Sequence, residues 1–360
     1  MAFSSARVSR NAAAAILAIA SFLIVAPAFA DKPTSVLPRA ERLTITAIPI
    51  DFDRDDPGRK QFGKLVWRGG FNLFAKPPFF GGYSGLVVAP SGKSLLAISD
   101  AGTWLRANID YDGRKLKGLS EASIGPILGR DGKPLAGDAD QDSEGLTLVD
   151  GDTSKGTAYV AFERNHRVLR YPFTPDRFGP PDGGLALPAE TKRMSANRGI
   201  EAIVPIRAGR LKGATVLFSE RLLDKNGNLR GWLIGGPAPG AISLKNIGGF
   251  DITDAAALPD GGIVVLERRF RYSEGVKMRI RRIAAKDLKP GALVSGEVLL
   301  EANDSLNIDN MEGIAVHRGA SGETILTLIS DDNFSALQRT LLMQFALPDG
   351  KPVLAEPGSH

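Results

Sequence analysis

The chain of 360 residues contains no cysteine. Disulfides, a thiolate nucleophile and a Cys-ligated zinc are therefore excluded. Histidine is scarce, with three copies, and aromatic residues make up only 7%. Charge of one sign is also scarce: the formal net charge of +5 falls to +3 once Arg7 and Arg10 leave with the amino-terminal segment. So small and dispersed an excess excludes a nucleic-acid partner. Beyond residue 30 no run is apolar enough to span a bilayer, so no transmembrane segment is expected after that point.

What is abundant is turn chemistry, with 41 Gly and 23 Pro. Arg7 and Arg10 precede an apolar run from Ala12 to Val25, followed by Ala28-Phe29-Ala30. This pattern predicts a secretory signal peptide over residues 1–30, cut after Ala30, and hence a periplasmic or secreted protein, with an uncleaved anchor as the competing reading. Residues 31–360 are expected to form one domain.

One pattern occurs five times: a small or acidic residue opens an apolar strand, a turn follows, and a second apolar strand ends in an acid. The copies run from Ser84 to Asp100, Glu144 to Glu163, Glu201 to Glu220, Asp254 to Glu267 and Glu312 to Asp331. Their openings lie 60, 57, 53 and 58 residues apart. Turn residues fall at the matching phase, as in Pro90-Ser91-Gly92 and Pro259-Asp260-Gly261. Third and fourth strands follow in several copies, for example Val168–Tyr171 and Glu297–Leu300. Short antiparallel strands at this period predict an all-β fold, a β-propeller with five visible four-stranded blades and room for a sixth. The segments 43–48 and 64–67 precede the first copy and are expected to close the ring as an outer strand of the last blade.

In a propeller blade the first strand begins, and the second ends, at the same end of the channel. Nine carboxylates are thus expected around one opening. Two like charges roughly 5 Å apart repel by about 3 kcal/mol at an effective dielectric near 20. Raised pKa values, arginine partners or a bound cation would relieve them. Oxygen ligands at this density suit calcium or magnesium. The candidate metal ligands are Asp100, Asp142, Glu144, Glu201, Asp254, Glu312 and Asp331. Glu163, Glu220 and Glu267 are the candidate catalytic acids or bases. Arg164, Arg221 and Arg268 are candidate anion clamps, and Ser84 a further substrate contact. For each acid the competing role is structural, accepting loop amides and locking blades. For each arginine it is an inter-blade salt bridge.

Other chemistry fits poorly. Gly82-Tyr83-Ser84-Gly85-Leu86 lacks the second glycine of a nucleophile elbow. His166 and His317 read as surface or loop residues. Gly92-Lys93-Ser94 lacks the upstream glycine of a phosphate loop. The basic stretch from Arg268 to Arg282 reads as a solvated outer strand face.

The ordered set Gly82–Leu86, Ser99-Asp100, Asp142-Ser143-Glu144-Gly145, Glu163-Arg164, Asn197 with Glu201, Glu267-Arg268, Met311-Glu312-Gly313 and Ser330–Phe334 resembles the phytase-like family described as "esterase-like activity of phytase". The likeness runs from about Gly82 to Phe334. It implies an exported bacterial β-propeller that hydrolyses phosphoesters through its Glu and Asp residues. Its substrate would be small and anionic or phosphorylated, and its cofactor a divalent cation such as calcium. Ala202 after Glu201, and Asp254-Ala255 in place of Glu-Gly, depart from the motif and put blade four's share in doubt. A calcium-dependent lactonase or esterase and a non-catalytic binding propeller remain alternatives.

Overall fold

In a computed structural model, which describes Met1 and residues 32–33 and 36–348, strands dominate and fall into five sheets. The signal peptide expected over residues 1–30 lies, Met1 apart, outside the described residues. No helix among them is long and apolar enough to cross a membrane.

Each sheet is one blade, built outward from an inner strand. The inner strands are Tyr83–Val88, Ser143–Gly151, Ile200–Pro205, Asp251–Ala257 and Asn310–Arg318. Each lies against the next around the ring, and the fifth returns to the first. The second strands are Ser94–Ser99, Gly156–Phe162, Ala214–Leu223, Ile263–Arg271 and Thr324–Asp331, all antiparallel to their inner partners. The fold is a five-bladed β-propeller.

The ring closes as the sequence predicts. Leu65–Phe74 pairs with Thr340–Leu347 in blade 5, with Met343 opposite Gly70, and Thr46–Ile50 adds the outermost strand. Closure brings an early and a late stretch of the chain into one sheet and covers an otherwise exposed edge. Blade 2 departs from the four-strand pattern. Its outer edge is two fragments, Arg177–Phe178 and Gly183–Leu185, split by Pro180 and Pro181, which have no amide hydrogen for a ladder.

The core sits between blades, one apolar cluster at each junction. Blades 4 and 5, for example, share Leu266, Met278, Leu326, Leu328 and Met343, all fully buried. There Phe52, Phe62, Trp67 and Phe345 pack with centroids 4.8–5.4 Å apart. Burying each such side chain contributes about 1.5–3 kcal/mol.

A β-bulge recurs near the start of every inner strand. The extra residue is Ser84, Glu144, Glu201, Thr253 or Glu312. The residue after it must pass close to a neighbouring blade. A Cβ on Gly145 would lie 2.7 Å from the Glu201 carbonyl, and one on Gly85 2.9 Å from the Leu146 nitrogen. This close approach explains the Glu-Gly and Ser-Gly pairs.

The bulges also correct the sequence reading of blade 4. Thr253, not Asp254, holds the opening position there, and Asp254 falls where other blades carry Gly or Ala. The second strand is displaced likewise. Glu267 pairs opposite Ile252 and Arg268 opposite Asp251, so Arg268 takes the closing position that an acid holds elsewhere.

Candidate functional site

The bulge and closing positions bring together Ser84 with Asp100, Glu144 with Glu163, Glu201 with Glu220, Thr253 with Arg268, and Glu312 with Asp331. Two hydroxyls fix the ring. Ser84 Oγ donates to the Ser143 carbonyl (2.6 Å) and Thr253 Oγ1 to the Met311 carbonyl (3.0 Å). In each case the acceptor precedes the next blade's bulge, so the two bonds are symmetry equivalents. Ser84 is thereby engaged with backbone.

Seven of the nine expected carboxylates converge, and their charges interact. Burial, then repulsion from Glu201, Glu163, Asp142 and Asp100, raises the Glu144 pKa well above the ordinary range. Glu201 is raised by burial and by Glu220, Glu163 and Glu312. Asp331 is raised by burial and by Asp100 and Glu312. Burial pushes Glu163 up to about 8, with Asp142 and Glu220 adding to the shift. Glu312 is pushed up by burial to about 7, against the pull of Arg268, whose Nε stands 3.2 Å from its Oε1. Burial and Asp251 raise Glu220, opposed by Arg198, Arg268 and Arg221.

Asp142 joins this group from the loop before blade 2. One carboxylate oxygen each from Asp142, Glu144 and Glu163 lie within 4.8 Å of one another. Asp142 is itself held by two cations, Lys32 Nζ at 2.5 Å and Arg164 Nε at 2.5 Å. Lys32 also reaches Asp100 Oδ2 at 3.0 Å. Burial disfavours the Lys32 charge, yet the two aspartates hold its proton more tightly than usual. Asp100 still rises to about 6, through burial that Lys32 only partly offsets.

Two expected site residues lie elsewhere. Glu267 is fully buried in an ion pair with Arg281, which also donates to the Lys245 and Ser295 carbonyls. Asp254 Oδ2 accepts from the Ile314 amide at 2.8 Å and its Oδ1 from Ala255 at 2.7 Å, locking blade 4 to blade 5. Both therefore do structural work away from the ring. The basic stretch is a solvated face only in part, since Arg271 is exposed whereas two of its arginines are not. Arg279 and Arg281 are buried, Arg279 lying 3.9 Å above the Phe250 ring and pairing with Glu301. His317 is buried as well, with Nε2 3.0 Å from Thr327 Oγ1.

The arginines divide by role. Arg164 holds Asp142, Arg268 faces Glu312, and Arg221 forms a two-nitrogen pair with both oxygens of Asp251. Sequence reasoning missed Lys32, Arg198 and Asp251. Arg198 follows the motif residue Asn197, but nothing in the spacing marks Lys32.

The opposite end of the channel is different in kind. A space of about 460 Å³ there is walled mainly by apolar residues such as Leu148, Pro205, Ala257 and Val316. The titratable groups are thus concentrated at the acidic end. The fold is that of a five-bladed β-propeller with carboxylates gathered at one end of its channel.

The family model described as "Phytase-like: Esterase-like activity of phytase" matches residues 78–334. The chain belongs to that family. No curated protein matches it. Similar solved structures include an α-L-arabinofuranosidase from Podospora anserina in complex with cellotriose, 13% identical over 86% of this chain and 98% of that one, with a TM-score of 0.42. A gluconolactonase from Xanthomonas campestris is 10% identical over 87% and 97%, with a TM-score of 0.36. A glutaminyl cyclase from Myxococcus xanthus is 10% identical over 88% and 100%, with a TM-score of 0.34. Likenesses this distant bear on neither substrate nor mechanism.

Proposed function

We propose that the chain is an exported, metal-assisted hydrolase of phosphoesters. The observation that carries this reading is the excess of carboxylates over cations at one mouth, directly beside a cluster of arginines. Lys32, Arg164 and Arg268 face Asp100, Asp142, Glu144, Glu163, Glu201, Glu220, Glu312 and Asp331. This all-oxygen donor set, short of positive charge, fits a divalent cation of the calcium or magnesium kind. Asp142, Glu144 and Glu163 would hold it. Once bound, such an ion polarises a phosphoryl oxygen and acidifies water.

The chain's own residues supply the rest. Glu220 lines a cleft with Arg198, Arg221 and Arg268, and burial with the neighbouring Asp251 raises its pKa, which favours the proton-carrying form of its carboxyl group. The arginines bind and orient the phosphoryl oxygens. As water adds to phosphorus and the ester P–O bond breaks, the departing alkoxide takes the Glu220 proton, and the proton shed by the added water returns Glu220 to its acid form. Water supplies the oxygen left on phosphate, so no other reactant is needed. Export rests on the amino-terminal sequence pattern.

The test is turnover of the purified protein on phosphomonoesters, phosphodiesters, phytate and lactones, with and without chelator. Phosphoester hydrolysis that chelator abolishes is expected, with a loss of about 100-fold or more in Glu220→Gln. Turnover of lactones alone would replace this reading with a lactonase. No turnover with metal supplied would leave a binding propeller.

A further inference from the structure

Beside the acidic mouth, between blades 3 and 4, lies a cleft of about 480 Å³. Arg198, Arg221, Arg268, Arg269 and Arg271 line it, against two acids, Glu220 and Asp251. Both oxygens of Asp251 are engaged by Arg221. Arg198 receives little from it: its Nη1 stands 3.9 Å from Asp251 Oδ2, is buried, and has no hydrogen-bond partner among the described residues. The rest of the Arg198 side chain is open, 39% exposed, so its guanidinium can meet an incoming oxyanion from the cleft. Glu274 does not offset the charge of Arg269 and Arg271, because Lys277 shares it with both.

The rim carries a second kind of chemistry. Phe270, near the end of the strand Ile263–Arg271, and Tyr272, in the turn before Gly275–Ile283, are 53% and 87% exposed. Their rings meet edge to face, with centroids 5.2 Å apart. Two large rings left in water at one tip forgo burial worth about 1.5–3 kcal/mol each. Phe270 itself lines the cleft.

We infer that this cleft is the recognition subsite for an organic phosphate whose carbon portion is a planar ring. The phosphoryl oxygens meet Arg198 and its neighbours near Glu220, and the ring lies against Phe270 and Tyr272. The choice of phosphate over another oxyanion rests on the hydrolase reading above. The aromatic and cationic halves of the site are observed independently of it.

The test is calorimetric binding of phenylphosphonate, methylphosphonate and inorganic phosphate. The phosphonates carry a P–C bond that an esterase cannot cleave, so binding is read without turnover. Phenylphosphonate is expected to bind about 5–10-fold more tightly than methylphosphonate. The variant carrying Phe270→Ser and Tyr272→Ser, both at exposed positions, should lose that preference and keep its methylphosphonate affinity. Arg198→Gln should weaken both ligands about tenfold. Equal affinity for the two phosphonates, a preference that survives in the aromatic variant, or an unaffected Arg198→Gln would overturn the inference. These binding results alone decide it. Binding as expected without any ester turnover would uphold the cleft and defeat the hydrolase reading, whereas turnover without ring preference would do the reverse.

Discussion

Lys32 Nζ lies 2.5 Å from Asp142 Oδ1, placing an ammonium among the carboxylates of blades 1 and 2. The same nitrogen reaches Asp100, so one side chain from the amino-terminal stretch partly neutralises two acids that belong to different blades. An acidic mouth thus carries a built-in cation, one that a divalent ion must compete with or tolerate.

Replacing Lys32 with Met should therefore sharpen the demand for metal. Calcium affinity, followed by calorimetry, is expected to rise about tenfold, equivalent to about 1.4 kcal/mol. The Asp100 pKa, followed by carboxyl NMR, should climb above its present value of about 6.

Stability should fall as pH rises. Asp100, Glu312 and Glu163 have pKa values raised from 3.8, 4.5 and 4.5 to about 6, 7 and 8. Between those limits the folded protein binds more protons than the unfolded chain, so unfolding free energy declines with pH. The contribution is complete below about pH 4 and is lost as pH climbs through 6, 7 and 8. Thermal unfolding in chelator should show the midpoint dropping from pH 5 to pH 8. Added calcium should restore it at pH 8 more than at pH 5.

The Glu267–Arg281 pair belongs to the fold. Both side chains are fully buried, so removing one partner strands a charge, at a cost of about 3–5 kcal/mol. Urea unfolding of Arg281→Met should show that loss. Any activity remaining per folded molecule should be little changed.

Gly145→Ala tests the close approach after the bulge. The added Cβ would meet a backbone oxygen, Glu201 O at 2.7 Å, which cannot swing aside as a side chain can. A loss of about 1–3 kcal/mol is expected in urea unfolding. The shift should also reach Glu201, so calcium affinity should fall with it.

Much of this arrangement was legible in the sequence because a propeller writes its symmetry as a period. The recurrence of Glu144, Glu201 and Glu312 at one and two repeat lengths identified the bulge positions in three blades without reference to bulges at all. Blade 4 misled because a bulge is a backbone event with no fixed residue. Asp254 and Glu267 are each one place from the ring, and in a β-strand one place is the other face. Thr253 and Arg268, which do occupy the ring, carry no acidic label. Lys32 was invisible for another reason: its contacts span 68 and 110 residues and repeat nowhere. The burial of Arg279 and Arg281 was hidden because their partners, Glu301 and Glu267, meet them only across paired strands.

The central claim is that the acids of different blades form one proton-loaded cluster able to exchange protons for a divalent ion. Calcium titration by calorimetry at pH 7, in two buffers of different ionisation enthalpy, tests it most directly. The account predicts saturable binding with net proton release, both sharply reduced in Glu144→Gln and Glu163→Gln. Binding without proton release, or binding that these two variants leave unchanged, would contradict it.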